Sequence, residues 1–300
     1  MTDARRHVDG VVLLDKPRGL TSNRALQLVK QLFRARKAGH TGSLDPLASG
    51  LLPICLGQAT KVSAYLLDAD KRYRVTAQLG VRTDTGDADG KVVESAPSDH
   101  VTPDRIEEAL ARFRGPIRQV PPMYSALKHK GQRLYELARQ GKEIEREPRP
   151  IRIHRLELEQ YAHGVLVFDV ECSKGTYVRS LVEDIAVAAG TLAHVTALRR
   201  LRAGPYCAEQ MVTLEVLDAL AARGALDEIL LPADSALQGW PAVRVGADRA
   251  DRLMQGCTVA VDEERAGGLV RVYEERQFLG IGELGPGGRL APKRLFRGHS

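Results

Sequence analysis

The segment KRYRVTAQLG (71–80) constrains the fold most. Tyr73, Val75, Ala77 and Leu79 fall on one side; Arg72, Arg74, Thr76 and Gln78 take the other. That two-residue period is a strand with one buried and one wet face. IRIHRLELEQY (151–161) and GVLVFDVECS (164–173) read as two further, neighbouring strands joined around His163-Gly164. Between them lie segments of helical period. TPDRIEEALARFRG starts at a Thr102 cap with Pro103 in its first turn and carries Ile106, Ala109, Leu110 and Phe113 as a stripe. Long antiparallel-type strands with inserted helices predict an α+β fold built on a mixed, largely antiparallel sheet.

The rest of the chain fits around that sheet. VVLLDKP (11–17) reads as a strand running into a turn, and TSNRALQLVKQLFRARK as a helix capped by Thr21 or Ser22. AGHTGSLDPLASGLLPICLG (38–57) breaks both periods with its glycines and prolines, so a long loop is expected, with Leu51–Leu56 as a buried exit. RTDTGDADGKVV is an acidic connection with a hairpin turn at Asp89-Gly90. Residues 121–155 begin in proline and end in mixed charge, with nine Lys/Arg against four Asp/Glu from Lys128 to Arg155. An exposed insert with a basic face, including Lys128 and Lys130, is expected there. A helix over Tyr177–Ala189 closes at Gly190, and TLEVLDALAARG forms another. After Trp240-Pro241 the texture turns to short strands ending in a basic KRLF tail. Two domains are expected, 1–240 and a small β-rich 241–300.

The formal net charge of +6, from 44 Lys+Arg against 38 Asp+Glu, weakly favours a polyanionic partner. Cys55, Cys172, Cys207 and Cys257 form no C-x-x-C pair and read as reduced, mostly buried thiols of a cytoplasmic protein. The first residues carry both charge signs and no signal-peptide pattern. No apolar run approaches a membrane span.

Asp45 is the lone carboxylate of the 38–57 stretch. Pro46 excludes the α region for it, and Gly42 and Gly50 allow tight turns on either side. Such a mount suits first a turn-capping aspartate, as aspartates before proline often are, and second a reactive carboxylate. A phosphate loop needs G-K-[ST], which this stretch lacks. A metal is not expected, because His40 and Asp45 are the only obvious ligands nearby. His40 can brace the loop, or stack on an unstacked base. Tyr73 can be a core tyrosine between solvated Arg72 and Arg74, or a ring against a base with those arginines on phosphates. Arg179 can pair with Glu183 one helical turn on. Alternatively it holds a pocket carboxylate, since a buried carboxylate costs several kcal/mol unless paired.

Five motifs in order resemble the TruB family of bacterial tRNA pseudouridine synthases: LLDKPRGLTS, AGHTGSLDPLASGLLPICLGQATK, KRYRVTAQLGVRTDTGDADG, PPMYSALKHKGQRLYELAR and CSKGTYVRSLVEDI. The resemblance covers residues 8 to 205, and the tail is similar to a small RNA-binding module of the PUA type. It implies the pseudouridine synthase fold and isomerisation of uridine 55 in the tRNA T loop. The base is cut from its ribose, rotated and rejoined through C5, without cofactor or metal. By resemblance Asp45 is the catalytic aspartate and Arg179 its ionic partner, and Tyr73 is a catalytic tyrosine that stacks on the target base and is implied in proton removal at C5. His40 enters the T loop, Tyr177 and Leu198 line the pocket wall, and Lys61 lies on its phosphate side. The 121–155 insert is implied to clamp RNA. The implied partner is tRNA alone, bound by a monomer with no obligatory protein partner.

The chemistry is consistent with that reading. A uracil in a folded loop has to be flipped out, at a few kcal/mol, and stacking on His40 and Tyr73 offsets roughly 1 to 3 kcal/mol per base. Glycosidic cleavage develops positive charge on the sugar, which an ionised Asp45 can stabilise, attack, or relieve by taking the 2′ proton. Three rivals stand beside it: a non-catalytic tRNA-folding protein, a base-releasing glycosylase, and a guide-dependent rRNA synthase.

Overall fold

A computed structural model of the protein describes residues 5–262 and 267–296. The chain runs through β1 (Gly10–Lys16), α1 (Ser22–Leu32), β2 (Ala38–His40), β3 (Ser49–Leu56), α2 (Ser63–Leu67) and β4 (Lys71–Leu79). A hairpin of β5 (Val81–Thr83) and β6 (Val92–Ser95) leads to α3 (Pro103–Arg112) and β7 (Gly115–Gln119). Next come β8 (Lys128–His129), β9 (Gln132–Arg133), α4 (Leu134–Arg139), β10 (Arg149–Ala162) and β11 (Val165–Cys172). Then follow α5 (Val178–Ala188), β12 (Ala193–Ala203), β13 (Tyr206–Cys207) and α6 (Leu214–Ala222). Among the described residues nine strands form one sheet, ordered β1-β3-β12-β4-β11-β10-β7, with β2 added on β3 and β13 on β12. Its pairings are antiparallel except β3 with β12, where Ser49-Gly50 run parallel to Arg199-Arg200. The expected α+β class and mixed sheet are therefore present.

Burial differs along the sheet. On β4, Val75, Ala77 and Leu79 pack into the main core with Ile106, Ala109 and Leu110 of α3 and Leu181, Val182 and Ile185 of α5. At the other end both faces are covered. Leu52, Ile54 and Leu56 of β3 enter the main core, while Leu51 and Cys55 join a second cluster with Val62, Leu66, Tyr206 and Ile281. A strand buried on both faces reads as a continuous apolar run. For that reason the expected long loop at 38–57 is corrected: β2 and β3 occupy its ends, and only residues 41–48 are loop. Gly50 is required where β3 meets β12. Its φ is +100°, and an added Cβ would lie 2.4 Å from the Arg200 carbonyl oxygen.

Strand β12, at the middle of the sheet, has no counterpart among the expected elements. Its register shifts between Val195 and Ala197 and again between Arg200 and Arg202. Each shift breaks the alternation, so Val195, Leu198, Arg200 and Ala203 are buried out of step. The basic insert is also trimmed. It holds the β8–β9 hairpin and α4, and Arg149–Arg155 belong to β10, so the insert ends at residue 148.

The C-terminal part comprises β14 (Ala242–Val245), α7 (Ala247–Met254), β15 (Val259–Ala260), β16 (Gly268–Glu274), β17 (Gln277–Gly285) and β18 (Arg289–Leu295). These strands form a separate sheet, β14-β16-β17-β18-β15, over its own core of Val243, Leu253, Val270, Val272, Leu284 and Leu290. The expected KRLF tail is largely the end of β18. Residues 1–4 and 297–300, the outer ends of the two expected domains, lie outside the described residues. Cys55 and Cys172 are buried, whereas Cys207 and Cys257 are exposed, so burial holds for only two of the four cysteines. Among the described residues no helix is long and apolar enough to cross a membrane.

Candidate active site

Asp45 sits on the 41–48 loop, and the loop is fastened at several points. The Ser22 hydroxyl, at the start of α1, accepts from Leu44 N at 2.7 Å and donates to Leu44 O at 3.0 Å. Gly19 N donates to Pro46 O at 2.7 Å, and Ala48 N to Asp45 O at 3.0 Å. Leu44, Leu47 and Ala48 are buried on either side. Apolar anchors on both flanks leave the carboxylate on a stiff, partly open mount.

Arg179 meets that carboxylate. Its Nε lies 2.9 Å from Asp45 Oδ2; the arginine side chain is 7% exposed and the aspartate's 43%. One carboxylate edge is thus paired and the rest faces out. The other guanidinium nitrogens donate to Thr85 O at 2.5 Å and Tyr124 O at 2.7 Å. A second carboxylate, Asp87, lies 3.7 Å from Arg179 Nε. Asp87 is itself held by the Thr85 hydroxyl at 2.6 Å and by Asp89 N at 3.1 Å. Arg179 therefore ties the Asp45 loop, the β5–β6 turn and the approach to the basic insert, and it does not pair with Glu183 as a helix neighbour. Burial pushes the Asp45 carboxyl above the ordinary value of 3.8; Arg179 works against that rise, and the charge of Asp87 adds to it.

Other side chains gather around this pair. Tyr73 is half-buried on β4, and burial raises its phenol pKa. Directly across on β12 is Arg200, 1% exposed, while Leu198 lies opposite Val75. Tyr177 precedes α5 with its backbone clamped by the buried Gln119: Tyr177 N donates to Gln119 Oε1 at 2.8 Å, and Gln119 Nε2 to Tyr177 O at 3.0 Å. Both tyrosines lie close enough to feel the charge of Asp45. Lys16, fully buried at the end of β1, donates to Pro17 O at 2.9 Å and Leu20 O at 2.7 Å. Burial lowers its pKa to about 8, and the charge of Asp45 opposes that fall. His40 ends β2 with its Nδ1 buried and without a partner; burial first, then Arg200, lowers its pKa and favours the neutral ring.

Three expected contacts lie elsewhere. Arg72 and Arg74 occupy the face of β4 opposite Tyr73. There Arg72 pairs with Asp169 at 2.8 Å and Arg74 with Glu159 at 2.8 Å. The period that directs Tyr73 inward directs its neighbours away. Lys61 meets the C-terminal domain: it donates to Leu295 O at 2.6 Å and Gln58 Oε1 at 2.8 Å and stands over the Phe296 ring. Lys128 and Lys130 are exposed on the β8–β9 hairpin. Sequence reasoning missed Asp87, Gln119, Lys16 and Arg200. Asp87 was legible only as part of an acidic turn and Lys16 only as the end of a strand, while Gln119 and Arg200 lay where no element was expected.

Solved structures share this architecture. A chain from an H/ACA RNP bound to a substrate RNA containing 2′-deoxyuridine aligns at TM-score 0.75 with 25% identity, over 96% of this chain and 85% of its own. A chain from a Cbf5-Nop10-Gar1 complex gives 0.74 and 26%, over the same shares. This fold, shared with those chains, is that of the pseudouridine synthase class. Three family models match: TruB family pseudouridylate synthase, N-terminal domain, over 30–178; tRNA pseudouridylate synthase B C-terminal domain over 179–238; and pseudouridine synthase II TruB, C-terminal, over 241–296. Proteins named tRNA pseudouridine synthase B are 53% identical in Nitrosococcus oceani, over 96% of this chain and 95% of that protein, and 54% identical in Ectopseudomonas mendocina, over 97% and 96%. The chain belongs to the TruB family of pseudouridylate synthases.

Proposed function

We propose that this chain isomerises uridine 55 in the T loop of tRNA to pseudouridine, with Asp45 as the essential residue. The observation that carries the reading is the half-open Asp45 carboxylate, paired on one edge to a buried arginine. Close relatives bearing the name tRNA pseudouridine synthase B supply the substrate class. The flipped uridine enters the cleft with its sugar toward Asp45 and its base against Tyr73. Asp45 acts ionised, either attacking C1′ or taking the 2′ proton; both routes need the negative charge that Arg179 supports. His40, neutral and at the loop edge, holds the T loop open by stacking. Tyr177 and Leu198 wall the pocket and keep water from the sugar while the base turns. Lys128 and Lys130 bring the insert onto RNA phosphates, and the C-terminal sheet serves as a PUA-like second RNA contact. The enzyme works in the cytoplasm as a monomer, without cofactor.

A guide-dependent reading draws on the RNP-derived structural relatives. Identity of 53% over nearly the whole length, against 25% for the RNP chain, favours the guide-free reading. The test is incubation of the purified chain alone with an unmodified tRNA transcript, followed by mapping of pseudouridine. Modification at position 55, with no free uracil released, is expected. Modification elsewhere, or only with added guide RNA and proteins, contradicts the proposal.

A further inference from the structure

Arg200 heads the fully buried side chains by size, yet the reaction described above gives it no task. Among the described residues no carboxylate pairs with it. Its Nε donates to Leu51 O at 2.6 Å, and one terminal nitrogen donates to Gly42 O at 3.2 Å. A buried guanidinium lacking a counter-ion is costly, and a methionine or leucine would fill a strand crossing without that cost. The position is explained by what the charge meets. Gly42 lies on the loop that carries Asp45, and Leu51 lies on β3, which leaves that loop. Tyr73 is the residue directly opposite Arg200 in the β4–β12 ladder, so both side chains rise on one face. There the guanidinium works to favour the ionised phenol, against burial.

We infer that Arg200 is a positioning residue for Tyr73: locked on the Gly42 and Leu51 carbonyls, its guanidinium holds the phenol oxygen and sets the ring against which the target base lies. One arginine thereby ties the base platform to the loop bearing the acid. Planarity matters, because lysine carries the charge without the fork that can reach several oxygens at once. The inference rests on the role proposed above for Tyr73.

A double-mutant cycle with single-turnover kinetics and tRNA binding tests it. Arg200→Lys is expected to slow turnover by about 30-fold or more while tRNA Kd changes by less than about 3-fold. In a Tyr73→Phe background the same change is expected to cost under about 3-fold, because the group it positions is gone. Losses that multiply in the double variant overturn the inference, as does a wild-type rate in Arg200→Lys. Full turnover by Tyr73→Phe alone shows that the phenol oxygen has no task and removes the inference with it, while the stacking role of the Tyr73 ring stands; that failure is visible in the single variant. If circular dichroism shows Arg200→Lys unfolded, the wild-type chain labelled with ¹³C at tyrosine Cζ decides. A Tyr73 signal displaced from the free-tyrosine position supports the contact; a signal at that position contradicts it.

Discussion

Asp45 carries two opposed demands, and they make its titration informative. Burial raises its pKa, so folding favours the neutral carboxyl, whereas the proposed chemistry needs the ionised one. Activity should therefore decline on the acid side with an apparent pKa above the ordinary 3.8, read from kcat/KM against pH. Stability runs the other way. With a folded pKa above the unfolded one, the favourable contribution is complete at low pH and is lost as pH rises through the folded value. Asp45→Asn should therefore melt no lower than wild type at pH 7, with the gap shrinking toward pH 4; a clearly lower melting temperature at pH 7 contradicts the shift. Asp45 and Arg179 were singled out in the sequence by Pro46, the glycines and the need of a buried carboxylate for a cation, but their residues left a turn cap and a helix pair open, and only the motif resemblance joined them. Asp87 was not, because a buried acid in TDTGDADG has the same local texture as a solvated turn.

Strands and loops divide by how many faces they bury. The half-wet β4, β10 and β11 announced themselves by alternation, and the same alternation puts Arg72 and Arg74 on ion pairs on the face opposite Tyr73. Strand β3, buried on both faces, and β12, twice bulged, kept no such period, so the centre of the sheet was the part least visible. Their crossing is correspondingly unforgiving. Gly50→Ala should cost about 3 kcal/mol from strained φ and contact with the Arg200 carbonyl, lowering Tm by about 6–12 °C in thermal melts. A variant melting within a degree of wild type contradicts the close approach. The β8–β9 hairpin is the opposite case, with lysines exposed at its turn. Lys128→Ala with Lys130→Ala should weaken tRNA binding and reduce the slope of log K against log salt by about two. The rate at saturating tRNA should stay unchanged; an unaltered slope removes the hairpin from the RNA contact.

At the scale of the molecule, two sheets are joined by a polar seam next to an apolar one. Tyr273 donates to Asp234 at 2.5 Å, Arg271 to Trp240 O at 3.1 Å and Lys61 to Leu295 O at 2.6 Å, while Ile281 enters the cluster beneath β1 and β3. These contacts bring the C-terminal sheet onto the face of the large sheet behind the main core. All of that arrangement has a purpose only if the arginine-held acid does the chemistry. Single-turnover conversion of an unmodified tRNA by Asp45→Asn, measured beside its tRNA Kd, tests this most directly. Turnover should fall by at least about 10³-fold while Kd stays within about 3-fold of wild type; an Asp45→Asn enzyme that still forms pseudouridine at a wild-type rate would contradict it.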